Sequence, residues 1–195
     1  MITIGVTGNI GSGKTTLSDF FKEKKAFVFN ADKEAKKHIK SHSVLQKKIV
    51  NAFGKRILIN TKLDFKKLAE TAFENEINQK ILNGIVWPEV AILIEKSLQN
   101  ALKEKYKYFV VDAALLFEAN FQHFFKYIIL VKANKEIRLQ RAIKRKNINL
   151  TQIKKRMALQ INDKQKVKES HFVIENNLDK KNLKTEFNKI FQKLT

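Results

Sequence analysis

The segment that most constrains this chain is a glycine-rich stretch near its start, from Gly8 to Thr15. It matches the pattern G-x-x-x-x-G-K-[ST] in full, between a short apolar run and an amphipathic helical pattern. Glycine lets successive backbone N–H groups turn inward as a nest for phosphate oxygens, beside the positive end of a helix. The segment therefore predicts a binding site for nucleotide phosphates in an α/β sheet.

Each residue type in this loop has an expected role. Lys14 reaches the β and γ phosphates, and the Thr15 hydroxyl ligates Mg²⁺. A solvated glycine-rich turn is the alternative interpretation, but the strand before it and the helix after it favour the phosphate site. ATP and Mg²⁺ are the expected cofactors, and the predicted phosphate-binding residues are Gly8, Gly11, Ser12, Gly13, Lys14, Thr15 and Thr16.

Composition narrows the possible classes. The chain has 195 residues and no cysteine, which fits one domain with insertions in a reducing compartment. No signal peptide or membrane-spanning run is evident, so we expect a cytoplasmic protein without a membrane partner. The net charge of +20 would suit a nucleic-acid binder. However, the lysines are spread over nearly every predicted helix, so we expect no nucleic-acid partner; the oligomeric state stays open.

Apolar runs predict five strands of a parallel sheet. They are Thr3–Val6, Ala26–Phe29, Tyr108–Asp112, Tyr127–Val131 and Phe172–Glu175. The roughly 70 residues between the second and third runs read as helices, with Glu76–Gly84 separate from a helix that Pro88 opens. We therefore predict a P-loop α/β fold with a core of about 1–40, 106–135 and 170–195, a helical acceptor-binding insert of about 41–105 and a basic lid of about 136–169.

Three acidic residues follow strand runs. Asp112 ends the third run, where a carboxylate holds Mg²⁺ in P-loop enzymes, although a turn residue would look the same. Asp32 follows the second run and is either a general base for a phosphoryl acceptor or the N-cap of the next helix. Glu118 is a weaker candidate for such a chemical role, and the alternative interpretation is that it anchors a loop.

Four arginines lie on two neighbouring predicted helices in the last third of the chain. Arg138, Arg141 and Arg145 share one face of a predicted helix, and Arg156 follows on the next helix. In a chain with a phosphate loop, this face favours a role in neutralising phosphoryl charge over a solvated surface. The four histidines show no metal-ligand motif, so we expect them to be ordinary surface or core residues.

At this level of detail the chain resembles the dephospho-coenzyme A kinase family, across nearly its whole length. The loop is similar to that family's L-T-G-G-I-G-S-G-K-S-T, and residues 30–32 are similar to its D-A-D, whose last Asp is the catalytic base. Further matches are Phe53-Gly54, Leu63-Asp64, Trp87-Pro88 and the segment Asp112–Glu118, similar to D-x-P-L-L-F-E. The family's lid and adenine-side positions fall on Arg141, Arg145, Arg156, Gln160 and Asn176.

The resemblance implies ATP-dependent phosphorylation of the ribose 3′-hydroxyl of dephospho-coenzyme A. It implies Asp32, Lys14 and Arg141 as catalytic residues, and Arg141, Arg145 and Asn176 as further nucleotide-binding residues. Another small-molecule P-loop kinase and a nucleic-acid-stimulated ATPase are the alternatives. A GTPase is disfavoured because Ile137 stands where N-K-x-D needs Asp. The chain departs from the family pattern at Asn9, Asn30, Lys36, Phe65, Trp87, Ala114 and Arg138.

Overall fold

The protein is built around a central parallel sheet. The computed structural model describes residues 1–145 and 149–194. The elements in chain order are β1 (Ile2–Thr7), α1 (Lys14–Glu23), β2 (Phe27–Asn30), α2 (Ala31–Ser41), α3 (Ser43–Phe53), β3 (Leu58–Ile59), β4 (Lys62–Leu63), α4 (Phe65–Ala72), α5 (Glu76–Lys103), β5 (Tyr108–Asp112), β6 (Tyr127–Lys132), α6 (Lys135–Lys144), α7 (Leu150–Ala158), α8 (Asp163–Glu169), β7 (Phe172–Glu175) and α9 (Lys180–Phe191).

The sheet has the strand order β2-β5-β1-β6-β7, and every neighbouring pair is parallel. One face is covered by α1 and α9, where Phe20, Phe21 and Phe187 pack together. The other face is covered by α5 and the segment between β5 and β6. The predicted P-loop α/β fold with five parallel strands is confirmed.

The region between β2 and β5 is helical, as predicted, but it divides differently. A separate apolar cluster joins α2, α3 and α4 to the first half of α5. The second half of α5 instead packs on the sheet through Val90, Ile94 and Ala101. The predicted insert of about 41–105 therefore includes a part of the core, namely the second half of α5. A two-stranded hairpin, β3–β4, turns through Asn60 and Thr61 in left-handed conformations and was not predicted.

The prediction that Pro88 opens a new helix is wrong, because α5 runs through it for 28 residues. Proline lacks an N–H group, so one intrahelical hydrogen bond is missing at this point. Packing on both sides of Pro88 holds the helix together. Val86 packs against the apolar cluster of α2, α3 and α4, and Val90 packs against the apolar residues of the sheet.

Although α5 is long, none of the helices in residues 1–145 and 149–194 is apolar enough over its length to cross a bilayer.

The predicted lid corresponds to α6, α7 and α8, and residues 146–148 within it lie outside the described residues. Helix α7 begins with a capping box in which Asn149 and Gln152 each bond the other's backbone N–H. Helix α8 was not predicted; Asn162 caps its N-terminus. The lid thus returns to the core through a short ordered helix that leads into β7.

Candidate active site

The glycine-rich loop connects β1 to α1 in the conformation that its sequence predicts. Gly8, Gly11 and Gly13 have φ values of 152°, 80° and 101°, which side chains rarely tolerate. A Cβ atom at Gly8 would clash with the backbone oxygen of Val131, and one at Gly11 with that of Arg138. Since Lys14 is the first helical residue, the N–H groups of the first turn of α1 are left for phosphate oxygens.

Asn176 lies under this loop. Its Nδ2 donates a hydrogen bond to the Ser12 carbonyl oxygen over 2.8 Å, and its side chain packs against Gly13. In turn, Arg141 donates to the carbonyl oxygens of Asn176 and Leu178, at 2.7 and 2.9 Å. Sequence reasoning predicted nucleotide contacts for Asn176 and Arg141. In the structure both side chains hold the backbone around the loop, and their contacts with the nucleotide stay a prediction.

The three arginines predicted to share a helix face diverge. Arg138 donates to the Ala133 carbonyl and lies 3.7 Å from Asp163, whereas Arg141 turns toward the segment after β7. Arg145 lines the large cavity described below, as does Arg156 from α7. Arg138 and Arg141 therefore donate to different carbonyl oxygens, although both lie on α6.

Asp112 and Asn30 meet where β5 and β2 end side by side. Asn30 Nδ2 donates to Asp112 Oδ2 over 3.0 Å, and Asn30 Oδ1 accepts the N–H of Lys33 at the start of α2. Asn30 is therefore the N-cap of α2, and the alternative that Asp32 is the cap is wrong. Asp32 sits in the first turn with its carboxylate free of that task.

Burial makes Asp112 unusual. Its side chain is 1% exposed, and Oδ1 has no hydrogen-bond partner among the described residues. Burial raises the pKa of Asp112; the charge of Lys14 and hydrogen bonds from Thr15 and Asn30 oppose this rise. The buried Ser12 hydroxyl also lacks a partner within the described part of the chain. These uncompensated oxygens, beside Lys14 and Thr15, fit a bound Mg²⁺ and phosphate group.

A cavity of about 500 Å³ opens from the phosphate loop into the helical insert. Lys14 and Asp32 lie at its loop end. The side chains that line it are mainly apolar, with a few polar groups among them. They include Ile10, Ala35, Lys36, Ile39, Phe65, Leu68, Phe73, Gln79, Leu82, Asn83, Val86, Trp87, Val90, Ala114, Phe121, Arg145, Arg156 and Gln160.

Four positions at which the chain departs from the family pattern line this cavity: Lys36, Phe65, Trp87 and Ala114. The ring of Phe65 has the ammonium group of Lys36 at 5.7 Å and that of Lys40 at 5.5 Å. Aromatic faces attract cations at such distances. Lys36 and Phe65 are therefore neighbours in the wall of the cavity, which Trp87 and Ala114 also line.

Arg156 stacks on an aromatic side chain of the cavity wall. Its guanidinium carbon lies 4.4 Å from the centroid of the Phe73 ring. Burial lowers the pKa of Arg156, and the charge of Asp32 acts against this. Its Nε lacks a partner within the described residues. Arg156 thus presents a positive charge that is held in place by an aromatic ring and free to bind an anion.

Contacts between the loop and the lid were not predicted. Asn9 Nδ2 donates to Asp163 Oδ1 at 2.7 Å and to the Ile161 carbonyl at 3.2 Å. Gln160 Oε1 accepts the N–H of Ile10 at 2.8 Å. These bonds tie the phosphate loop to the return of the lid. The N-cap pattern of Asn162 followed by Asp163 was the available sequence signal for α8.

Glu118 anchors a loop, which was the alternative to a chemical role. Its Oε1 accepts the N–H of Ile161 at 3.1 Å and lies 3.0 Å from the Nζ of Lys166. Lys166 is fully buried, and burial lowers its pKa while Glu118 opposes this. This buried pair fixes α8 beneath the cavity.

Two of the histidines lie closer to a carboxylate than the sequence indicated. His38 and His42 come together with Glu89, and one ligand atom from each residue lies within 4.8 Å of the others. The two histidines are four residues apart: His38 lies in the last turn of α2, and His42 follows the end of that helix. That spacing was visible in the sequence, but their partner on α5 was not.

Comparisons with known proteins agree with this geometry. The sequence model of the dephospho-CoA kinase family matches residues 2–182. A dephospho-CoA kinase of Fusobacterium nucleatum is 38% identical over 97% of this chain and 95% of its own length. The structure of a dephospho-CoA kinase from Campylobacter jejuni is 28% identical, with a TM-score of 0.68 over 98% of this chain and 96% of its own. A Thermus thermophilus structure titled TT1252 has a TM-score of 0.81 at 26% identity, over 100% and 98% of the two chains.

Proposed function

Because the chain belongs to the dephospho-CoA kinase family, we propose that it transfers the γ-phosphoryl group of ATP to the ribose 3′-hydroxyl of dephospho-CoA. The observation that carries this proposal is that Lys14 and Asp32 line one cavity. A phosphate-binding lysine and a free carboxylate thus lie beside the same space, which continues into the insert. A kinase needs a donor, a base and an acceptor site in this arrangement.

On the donor side, the N–H groups of Gly11 to Thr16 bind the phosphates, and Lys14 neutralises charge on the transferred group. The Thr15 hydroxyl and Asp112 Oδ1 would hold Mg²⁺. When bound, this ion would offset the negative charge of the phosphate groups. Asn176 and Arg141 act indirectly, because they hold in place the loop backbone to which the phosphates bind.

On the acceptor side, Asp32 accepts the proton of the attacking hydroxyl. The apolar wall formed by Phe65, Trp87 and their neighbours excludes water, which otherwise competes as the phosphoryl acceptor. Arg145 and Arg156 bind the phosphates of the two substrates from the lid side. As both substrates are metabolites of the cytoplasm, we place the protein there.

The test is a direct assay with ATP, Mg²⁺ and dephospho-CoA beside a panel of nucleosides and nucleoside monophosphates. We expect ADP and a product phosphorylated at the ribose 3′-position, with kcat/KM for dephospho-CoA at least about 100-fold above any member of the panel. A nucleoside that is phosphorylated more efficiently than dephospho-CoA would contradict the proposed acceptor.

Asp112→Asn tests the buried carboxylate through stability. A raised pKa means that the folded protein binds this proton more tightly than the unfolded chain does. Ionised Asp112 therefore lowers the free energy of unfolding, fully so at a pH above its folded pKa and not at all below the unfolded value of about 3.8. At neutral pH without ligands we expect Tm to rise, by about 2–4 °C for each kcal/mol regained, and Mg²⁺-dependent kcat to fall.

This difference in Tm between Asp112→Asn and the wild type should shrink as the pH falls toward 4, in thermal melts across a pH series. Asp19→Asn is the matched control, because Asp19 lies exposed on α1 and pairs only with Lys22 among the described contacts. An equal or lower Tm for Asp112→Asn at neutral pH would refute an unfavourable buried charge.

A further inference from the structure

A cluster of metal-ligating side chains lies outside the machinery described above. His38 is in the last turn of α2, His42 follows the end of that helix, and Glu89 lies on α5. His38 Nε2 is 3.2 Å from Glu89 Oε2, and the two imidazole rings are 4.8 Å apart between centroids. The His38 and Glu89 side chains are 22% and 23% exposed, so ions in solution reach the cluster.

The ligand types select a class of ion. Two imidazoles and one carboxylate suit Zn²⁺ and neighbouring transition metals, whereas Mg²⁺ and Ca²⁺ prefer oxygen ligands. Bonds of about 2.0–2.1 Å in tetrahedral geometry place ligand atoms roughly 3.4 Å apart. The three ligand atoms lie within 4.8 Å of one another, so small side-chain rotations suffice. The nearby Lys37 and Lys40 are directed to Glu34 and to the Phe65 ring.

One contact limits the affinity. His42 Nδ1 accepts the N–H of Leu45 at 3.1 Å and so caps α3. A metal at Nε2 of this neutral ring would place the proton on Nδ1, which ends that hydrogen bond. Metal binding therefore removes the N-cap of α3, and we expect the affinity of this site for metal to be lower than that of a structural zinc site.

We propose that His38, His42 and Glu89 form a site for a divalent transition metal of the Zn²⁺ class, which joins α2 to α5. Both helices line the cavity, α2 through Asp32, Lys36 and Ile39, and α5 through Val86 and Val90. A metal bound here fixes the distance between two walls that adjust to the entering acceptor. This second step rests on the proposed function, whereas metal binding itself does not.

The binding test uses the full chain, freed of metal by a chelator and titrated with Zn²⁺ in a calorimeter. We expect one Zn²⁺ per chain with a Kd below about 100 µM. His42→Asn removes a ligand but keeps an N-capping side chain, and Glu89→Gln keeps the shape while removing the charge. Each should weaken Zn²⁺ binding at least tenfold, while His123→Asn, outside the cluster, should not. Absent saturable binding, or equal affinity in the variants, would overturn the site.

The kinetic test compares the KM for dephospho-CoA without Zn²⁺ and with Zn²⁺ at about ten times the Kd that calorimetry gives, at constant excess Mg²⁺. We expect Zn²⁺ to raise this KM at least threefold in the wild type and to leave it unchanged in Glu89→Gln. An effect through the Zn²⁺ complex of ATP would persist in Glu89→Gln and would overturn the link between the helices. Failure of the proposed kinase function would instead appear as no turnover of dephospho-CoA by zinc-free wild type in the presence of ATP and Mg²⁺, with Zn²⁺ binding intact.

Discussion

Replacing Lys14 with alanine is expected to lower kcat/KM by about three orders of magnitude. Lys14 lies at the start of α1 and lines the cavity, and we propose that its ammonium group neutralises charge on the transferred phosphoryl group. Negative charge in the transition state then loses its nearest fixed cation. The backbone N–H groups remain, so weak ATP binding should persist while turnover falls. Steady-state kinetics with both substrates measure this directly.

Lys22→Ala is the matched control for Lys14→Ala. Lys22 lies on the same helix and is exposed, with Asp19 as its ion-pair partner. This variant should keep kcat/KM within about twofold of the wild type, because an exposed pair contributes little. A Lys14→Ala protein that is folded by thermal melting and retains kcat/KM within about threefold would refute the proposed role of the loop.

The sheet was predictable because its strands are buried on both faces. Continuous apolar runs such as Tyr108–Asp112 carry this signal without help from distant residues. Two of the five predicted strands, β5 and β7, agree fully with the observed bounds, and the other three differ by one residue at one or both ends. The loop of residues 8–15 was equally readable, since its glycines and Lys14 act through their own backbone geometry.

Helix α5 was misread for a physical reason. A proline inside a helical pattern marks a boundary when only local hydrogen bonding is considered. Here the apolar residues on both sides of Pro88 are buried by two different clusters, and that tertiary packing outweighs one missing hydrogen bond. The partners that bury Val86 and Val90 lie far away in the sequence, so no local pattern reveals them.

The candidate site was predicted unevenly for the same reason. Asp32 and Asp112 follow strands whose carboxyl ends meet at one edge, so their proximity could be anticipated. The bond from Asn176 to Ser12 spans 164 positions and that from Asn9 to Asp163 spans 154, so neither partner is suggested by spacing. The two carbonyl acceptors of Arg141 lie 35 and 37 positions further along the chain, so its helix face alone did not reveal them.

Asp32→Asn is expected to lower kcat by about two to four orders of magnitude while changing the KM for ATP by less than about threefold. The amide has nearly the same shape as the carboxylate, but it cannot accept the proton of the attacking hydroxyl. Because Asn30 caps α2, this substitution leaves the helix start intact. The loss should therefore appear in chemistry, which single-turnover measurements at saturating substrates resolve from binding.

Glu34→Gln separates this chemical role from the general effect of a negative charge near the helix N-terminus. Glu34 lies in the same first turn of α2 as Asp32, so its neutralisation removes an equivalent interaction with the helix dipole. Glu34→Gln should keep kcat within about twofold of the wild type. If Asp32→Asn retained comparable activity, Asp32 would not be the base. If both variants lost kcat equally, the carboxylate would act only through the field at the start of α2.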